Sequence, residues 1–480
     1  MTVPSVTQTE ADNSLGILPP GSKMLAVAGV CSAGAFETPT PFTRTKDLVA
    51  AFGVGPAVEA AAHYLNQYGN PVLFCRTHQT TAGAIGAITG NTGTSVITLT
   101  AATAPRDDYE LSISIVNGGT IGVAGITFMW SVDGGRTYSP IVALGTAAVY
   151  VFGDTGISLD FAAGTLVTAD TIIARTSAPL WTTAELTASL TALRNSAQQW
   201  ELVEVTGLCV GADLDAVDTA LVSMAAAGKL HAAIVHIRTP NVAESDATYQ
   251  TAAAVISAAH SSRYMDVCAG AMETVSPITG RQYRRPPSFT IAAREASLSQ
   301  EQNSAQIQLG PLPVTVITDA LGNPKYHDEL ISPGLDAARF CVLRTFEGRS
   351  GVFVNRPTMF SPVGSDFIIL PYRRVMNYAR SISRTEMELI LNSPIRVDPT
   401  TGFIDERDAS RIETRVTQQL KLALGQQPMV SEVTYVLNRT DNLLSTRTLN
   451  TQLRIVPLGY PETILEEDGF INPALAALSA

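Results

Sequence analysis

The sequence predicts an α/β plus all-β, multi-domain subunit: an α/β core, an inserted β-sandwich-like domain, and an α+β C-terminal domain with extended terminal arms. Three observations carry this. Strand, helix, helix, strand texture between Met24 and Arg76 resumes after Trp200. The intervening stretch is Gly/Thr/Val/Ile-rich, almost free of helix formers and punctuated by turn signals. The last third switches again, to two long helices followed by two alternating strands.

Taken in order, residues 1–20 are polar, weakly alternating and end at Leu18-Pro19-Pro20, so an extended arm is expected. From Lys23, MLAVAGVCSAG reads as an internal parallel strand, apolar on both faces. FTRTKDLVAAFG and PAVEAAAHYLNQYG read as helices and VLFCR as a second buried strand. These open a discontinuous α/β domain, residues 21–80 and 181–355. Residues 81–180 form the β-rich insert, with turns at Asn117-Gly118-Gly119, Asp133-Gly134-Gly135 and Asp154-Thr155-Gly156. Thr182 or Thr183 can cap the helix that follows. WELVEVTGLCV, HAAIVHI and MDVCAG are then strands alternating with two helices.

Residues 356–480 make the C-terminal domain and its arm. One helix covers Tyr372–Leu391 and another Asp405–Leu424, with Ile412, Val416, Leu420 and Ala423 on one stripe and Gly425 as its stop. SEVTYVLN and NTQLRIVPLGY are strands.

Composition narrows the function classes. Of 480 residues, 45% are apolar and only 16% charged, with a formal charge of −11. That balance opposes direct nucleic-acid binding, which needs a basic stripe. Five cysteines (Cys31, Cys75, Cys209, Cys268, Cys341) show no metal spacing; buried reduced thiols are the favoured reading, with a redox or ligand role the alternative. The N-terminus lacks a basic start and an apolar stretch, so no secretory signal is expected. No apolar run reaches the roughly 20 residues that membrane insertion requires.

Several motifs invite a chemical reading. Gly53-Val54-Gly55 precedes a helix, yet lacks the third glycine and the acid of a dinucleotide site and the Lys-Ser/Thr of a P-loop. His231 and His236 are five apart on a strand and face opposite ways. His327-Asp328-Glu329 reads as a solvated turn rather than a metal site, and Arg281, Arg284 and Arg285 as a local basic loop. SVDGGRTYS resembles a single Asp-box hairpin built on Asp133. No catalytic, cofactor-binding or metal set emerges, and the chain reads as a non-enzyme.

Three stretches together resemble the contractile tail sheath proteins of myophage-type tails and related injection systems. The first is LAVAGVCSAGAFETPTPFTRTKDLVAAFGVG with PAVEAAAHYLNQYGNPVLFCR. The second runs from SPGLDAARFCVLRTFEGRSGVFVNRPT through SDF to RRVMNY. The third, DTGISLDFAAGTLVTADTIIARTSAP, is similar to a cassette of phage virion proteins.

The resemblance implies a virion tail subunit, assembled in the bacterial cytoplasm, that polymerises helically around an inner tail tube protein and contracts. Its partners would be copies of itself, that tube protein, and baseplate and tail terminator proteins, with no cofactor. It also implies that terminal segments add strands to neighbours; Val3, Val6 and Ile17, and Leu453, Ile455 and Leu458, are the candidate mesh residues. Arg373, Asn377, Arg380 and Arg384 recur at helical spacing, with Tyr372, Val375, Ala379 and Ile382 on another face assigned to the core. With Arg374, these arginines are the candidate tube-facing set. Two other classes fit the pattern: another tail or baseplate component, and an α/β hydrolase carrying a carbohydrate-binding β module.

Overall fold

Met24–Gly29 is buried at every residue and lies inside a six-stranded sheet. The strand order is Met265–Cys268, Ala232–His236, Trp200–Leu208, Met24–Gly29, Val72–Arg76 and Thr40–Phe42. All neighbours are parallel except the last, which runs antiparallel at the edge. Alternate residues of the Met24–Gly29 strand serve two cores. Met24, Ala26 and Ala28 meet the helices Thr183–Asn195, Gly211–Ala226 and Asp246–Ala259. Leu25 and Val27 meet Thr45–Phe52, Pro56–Tyr68 and Ser288–Ser297. This doubly covered sheet explains why its strands read as apolar on both faces.

The computed structural model describes residues 24–100, 104–241, 244–319, 321–325, 331–425 and 428–467. The chain divides into two compact units, Met1–Ser381 and Ile382–Ala480.

Between Val72–Arg76 and the Thr183–Asn195 helix, the described residues make strands and one short 3-10 turn, Gly153–Thr155. A five-stranded and a three-stranded sheet enclose a separate core containing Ile113, Phe128, Phe152, Phe161 and Ile172. Thr182 caps the exit helix in a reciprocal box: its backbone N–H donates to Glu185 Oε2 at 2.6 Å, and its side chain accepts from the Glu185 N–H. Antiparallel strands Met272–Val275, Gln282–Arg285 and Val316–Thr318 follow, then a hairpin, Leu343–Phe346 with Arg349–Val354, turning at Gly348 with φ +72°.

The expected C-terminal boundary near residue 356 moves. Met359, Phe360 and Leu370 are buried in the cores of the first unit, which runs to Ser381. The Leu370–Glu388 helix buries its first half there, through Leu370, Val375 and Ala379. In the second unit, the Glu406–Gly425 helix buries Ile412, Val416, Leu420 and Leu424. Leu424 rather than Ala423 continues the stripe, because each step from Ile412 is four residues, and Gly425 is the last helical residue. The Val430–Leu437 and Thr451–Pro457 strands form an antiparallel hairpin.

Candidate assembly interface

The Leu370–Glu388 helix divides the arginine set. Arg373 is buried, with its guanidinium 3.7 Å over the Phe367 ring and 4.3 Å over Tyr264, and its Nε donating to the Arg263 carbonyl at 2.8 Å. Burial pushes its pKa down to about 10. Arg374 is 1% exposed and pairs with Glu201 at 2.9 Å while donating to the carbonyls of Glu295 and Leu298. These two guanidiniums are spent inside the subunit and leave the tube-facing set. The helical spacing put Arg373 and Asn377 on a polar face, but distant segments supply their partners, and both residues are buried. Of the residues assigned to the core, Val375 and Ala379 are buried and Tyr372 and Ile382 half-buried.

Arg380 is half-buried, and Arg384 is exposed in an ion pair with Glu388 at 2.7 Å. Such exposed pairs contribute about 0–1 kcal/mol. Removing this pair by Arg384→Ala is therefore expected to change unfolding free energy by less than about 1 kcal/mol. Urea denaturation checks this; a larger loss would make Arg384 structural as well.

In the second unit, the hairpin's registry organises its faces. Val433 pairs with Ile455, Tyr435 with Leu453 and Leu437 with Thr451, so these residues share one face. The Glu406–Gly425 helix packs on the Val430–Leu437 strand. Val433, Tyr435 and Leu437 are buried, whereas Leu453 and Ile455 are half-buried. Leu458 lies just past the strand end, half-buried. Arg439 ties helix to hairpin, bridging Glu406 and Glu413 at 2.7 and 2.6 Å. Val3, Val6 and Ile17 lie outside the described residues, as do His327, Asp328 and Glu329.

The remaining motifs resolve as architecture. Gly55 takes φ +143°, and a Cβ there would meet the Cys31 Cα at 2.9 Å. The Val54 N–H is bonded to Ser32 Oγ at 2.9 Å, so the glycine turn packs against the first strand's end. His231 stacks on Trp200, ring centroids 3.5 Å apart, and His236 Nδ1 meets Ser288 Oγ at 2.8 Å. Asp133 accepts from the Thr137 N–H at 2.9 Å while Gly134 and Gly135 take positive φ, the Asp-box turn. Burial opposes its charge, but hydrogen bonds from Ser131 and Thr137 hold the carboxyl below its usual range.

The basic loop hides a feature that local reading misses. Arg284 donates to the carbonyls of Pro240 and Asp319, and the Arg281 guanidinium lies 5.9 Å from the Trp130 ring centroid. Arg285 is 1% exposed and joins Glu59 of the Pro56–Tyr68 helix to Asp107 of the insert at 2.9 Å. Its Nη1 also donates to the Asp108 carbonyl at 2.8 Å. The one sequence signal was Glu59 itself, a lone acid in AVEAAA.

Two carboxylates share one guanidinium here. Burial pushes the Asp107 carboxyl up to about 7, against the pull of Arg285 and with the charge of Glu59 adding to the rise. Between about pH 4, where the unfolded acid ionises, and pH 7, the native chain holds a proton that the unfolded chain has lost. Asp107 thus contributes stability that is full below about pH 4 and is lost as pH rises through 7. Thermal unfolding at pH 5 and pH 8 should show a smaller pH dependence in Asp107→Asn than in the wild type; equal dependence would remove Asp107 as the source.

Residues 3–357, well over half of the chain, match the model of the DUF2586 N-terminal domain. The chain belongs to the DUF2586 family. No curated protein matches this DUF2586 chain by sequence. Among solved structures, a chain of the anti-feeding prophage (AFP) baseplate has the same fold, with TM-score 0.52, 12% identity, and 98% of this chain and 100% of that one covered. A sheath tail protein from Desulfitobacterium hafniense is similar at TM-score 0.44 and 10% identity, over 95% of this chain and 100% of that one. Another, from Listeria innocua, is similar at TM-score 0.45 and 14% identity, over 92% and 96%. The fold assignment of the DUF2586 chain rests on the first. No helix among its described residues is long and apolar enough to cross a membrane.

Proposed function

We propose that this chain is a structural subunit of a contractile tail or injection system, a sheath-type protein that polymerises around an inner tube and shortens to drive that tube through a cell envelope. The observation that carries this reading is the likeness to an AFP baseplate chain over essentially the whole of both chains. The order of sheath-like stretches in the sequence supports it independently. In this reading the subunits are meshed by strand addition, in which main-chain hydrogen bonds give affinity and alternate side chains give register. The half-covered Leu453 and Ile455 suit a receiving edge, and residues 1–20, with Val3, Val6 and Ile17, are the donor. Arg380 and Arg384 remain the tube-facing candidates. Contraction needs no nucleotide: subunits assemble in one packing and switch together to another richer in contacts. Copies of the chain, the tube protein, and baseplate and terminator proteins are the partners.

Negative-stain microscopy of the purified chain, beside a variant lacking residues 1–20, tests this. Striated tubes from the full chain and none from the truncated one are expected. Tubes from both would keep the sheath and discard the arm mechanism. Compact monomers from both across several salt conditions would overturn the proposal. The setting of the AFP neighbour favours a second reading, a baseplate component; closed rings in place of long tubes would be its signature.

A further inference from the structure

The first unit encloses a set of soft and hard ligand atoms that the assembly reading does not use. Asp266 and Cys268 stand two apart on the Met265–Cys268 strand and so project to one face. Cys341, more than 70 residues on in sequence (341 − 268 = 73), is placed opposite Cys268 in a parallel bridge. The Asp266 carboxylate and the two thiols offer ligand atoms that all lie within 4.8 Å of one another. All three residues are 0% exposed. We infer that Asp266, Cys268 and Cys341 bind one thiophilic divalent cation, zinc being the best match.

Asp266 supplies the independent observation. Its carboxylate oxygens find no partner except the weakly donating Cys341 thiol beside them, although the side chain is fully buried. Carboxylates are rarely left so, because an uncompensated buried charge is far costlier than a hydrogen-bonded one. The neighbours deepen the problem: Glu295, from the Ser288–Ser297 helix, bears electrostatically on Asp266, Cys268 and Cys341 alike. Either a proton or a cation must balance Asp266. A proton leaves the carboxyl with only weak thiol partners; a cation uses both oxygens and both sulfurs.

Two thiolates and a bidentate carboxylate make four donors without recruiting another residue, and zinc accepts mixed sulfur and oxygen ligands. Tetrahedral Zn–S bonds of about 2.3 Å place two sulfurs about 3.8 Å apart, which falls inside the 4.8 Å span of these ligand atoms. Binding releases the two thiol protons, and the carboxyl proton where present, to solvent, so affinity rises with pH. The ion would fasten the edge strand of the main sheet to the segment leading into the Leu343–Phe346 hairpin. Cysteine spacing could not reveal this, since Cys268 and Cys341 are far apart in sequence and only the fold brings them together.

The test uses the full chain, expressed with added zinc and purified under reducing conditions without chelator. About one zinc per chain by elemental mass spectrometry is expected, falling to background in Cys341→Ser. Cobalt added to the metal-stripped wild type should give a thiolate-to-cobalt charge-transfer band, a readout that stands even where the variant fails to fold. A folded wild type with trace metal and no cobalt band would overturn the site. So would a thiol count showing a Cys268–Cys341 disulfide in the chain as isolated.

Discussion

Replacing Arg285 by Ala lowers the melting temperature of the first unit by about 5–10 °C, with the β insert loosening first. The guanidinium joins two parts of the unit. Its Nε donates to Glu59 at 3.0 Å, Nη2 to Asp107 at 2.9 Å and Nη1 to the Asp108 carbonyl at 2.8 Å. Glu59 belongs to a helix of the α/β body, and Asp107 and Asp108 to the insert. Alanine leaves two carboxyl groups facing one another in a dry site. Breaking a buried pair in this way costs about 3–5 kcal/mol, because the remaining partner cannot regain water. Arg285→Lys should recover little: a single ammonium cannot span acceptors arranged for a planar fork. Limited proteolysis would locate the first opening, with cleavage expected in the linkers near residues 81 and 180. A melting temperature within about 1 °C of wild type would mean that the Tyr109–Tyr283 contact, 6.1 Å between centroids, and its neighbours hold the insert unaided.

Why some of this was legible and some not is a matter of range. The Met24–Gly29 and Val72–Arg76 strands announced themselves because a parallel strand covered on both faces must be apolar at successive positions. A threonine cap at Thr182 or Thr183 and the Asp133 turn were equally plain, since their partners lie within four residues. Arg373 and Arg374 went the other way. Helical spacing records which residues share a face but not what a remote segment brings to it, and here residues 201, 263 and 298 bring a carboxylate and two carbonyls. The buried acids lie between these cases. Glu204 in WELVEV and Asp266 in MDVC are visible anomalies, charges inside strands that ought to be apolar, yet only the tertiary fold places Cys341 beside Asp266. A charge in a doubly covered strand is the available signal, and cysteine spacing carries none.

The second large effect concerns the C-terminal hairpin. Leu453→Lys with Ile455→Lys is expected to abolish tube formation while leaving the chain folded. Among the described residues the hairpin is a two-stranded sheet, and such a ribbon is marginal without further strands or a packed helix. The Glu406–Gly425 helix covers Val433, Tyr435 and Leu437 on one strand, while their neighbours Leu453 and Ile455 on the other are only half covered. A strand added beside Thr451–Pro457 would bury the remainder. Fully burying a Leu or Ile is worth about 1.5–3 kcal/mol, so completing two half-covered residues contributes about 1–3 kcal/mol per junction. In a helical assembly that term recurs at every subunit, so a modest local loss becomes failure to polymerise. Lysine at the edge is also a device by which natural sheets refuse new strands. The control is Val436→Lys with Val456→Lys, two exposed residues on the opposite face of the same hairpin. Tubes from the control and monomers from the test pair, both with wild-type circular dichroism, would place the receiving edge on the helix-packed side. Tubes from both would take the mesh away from this hairpin and leave the sheath reading to stand on its other supports.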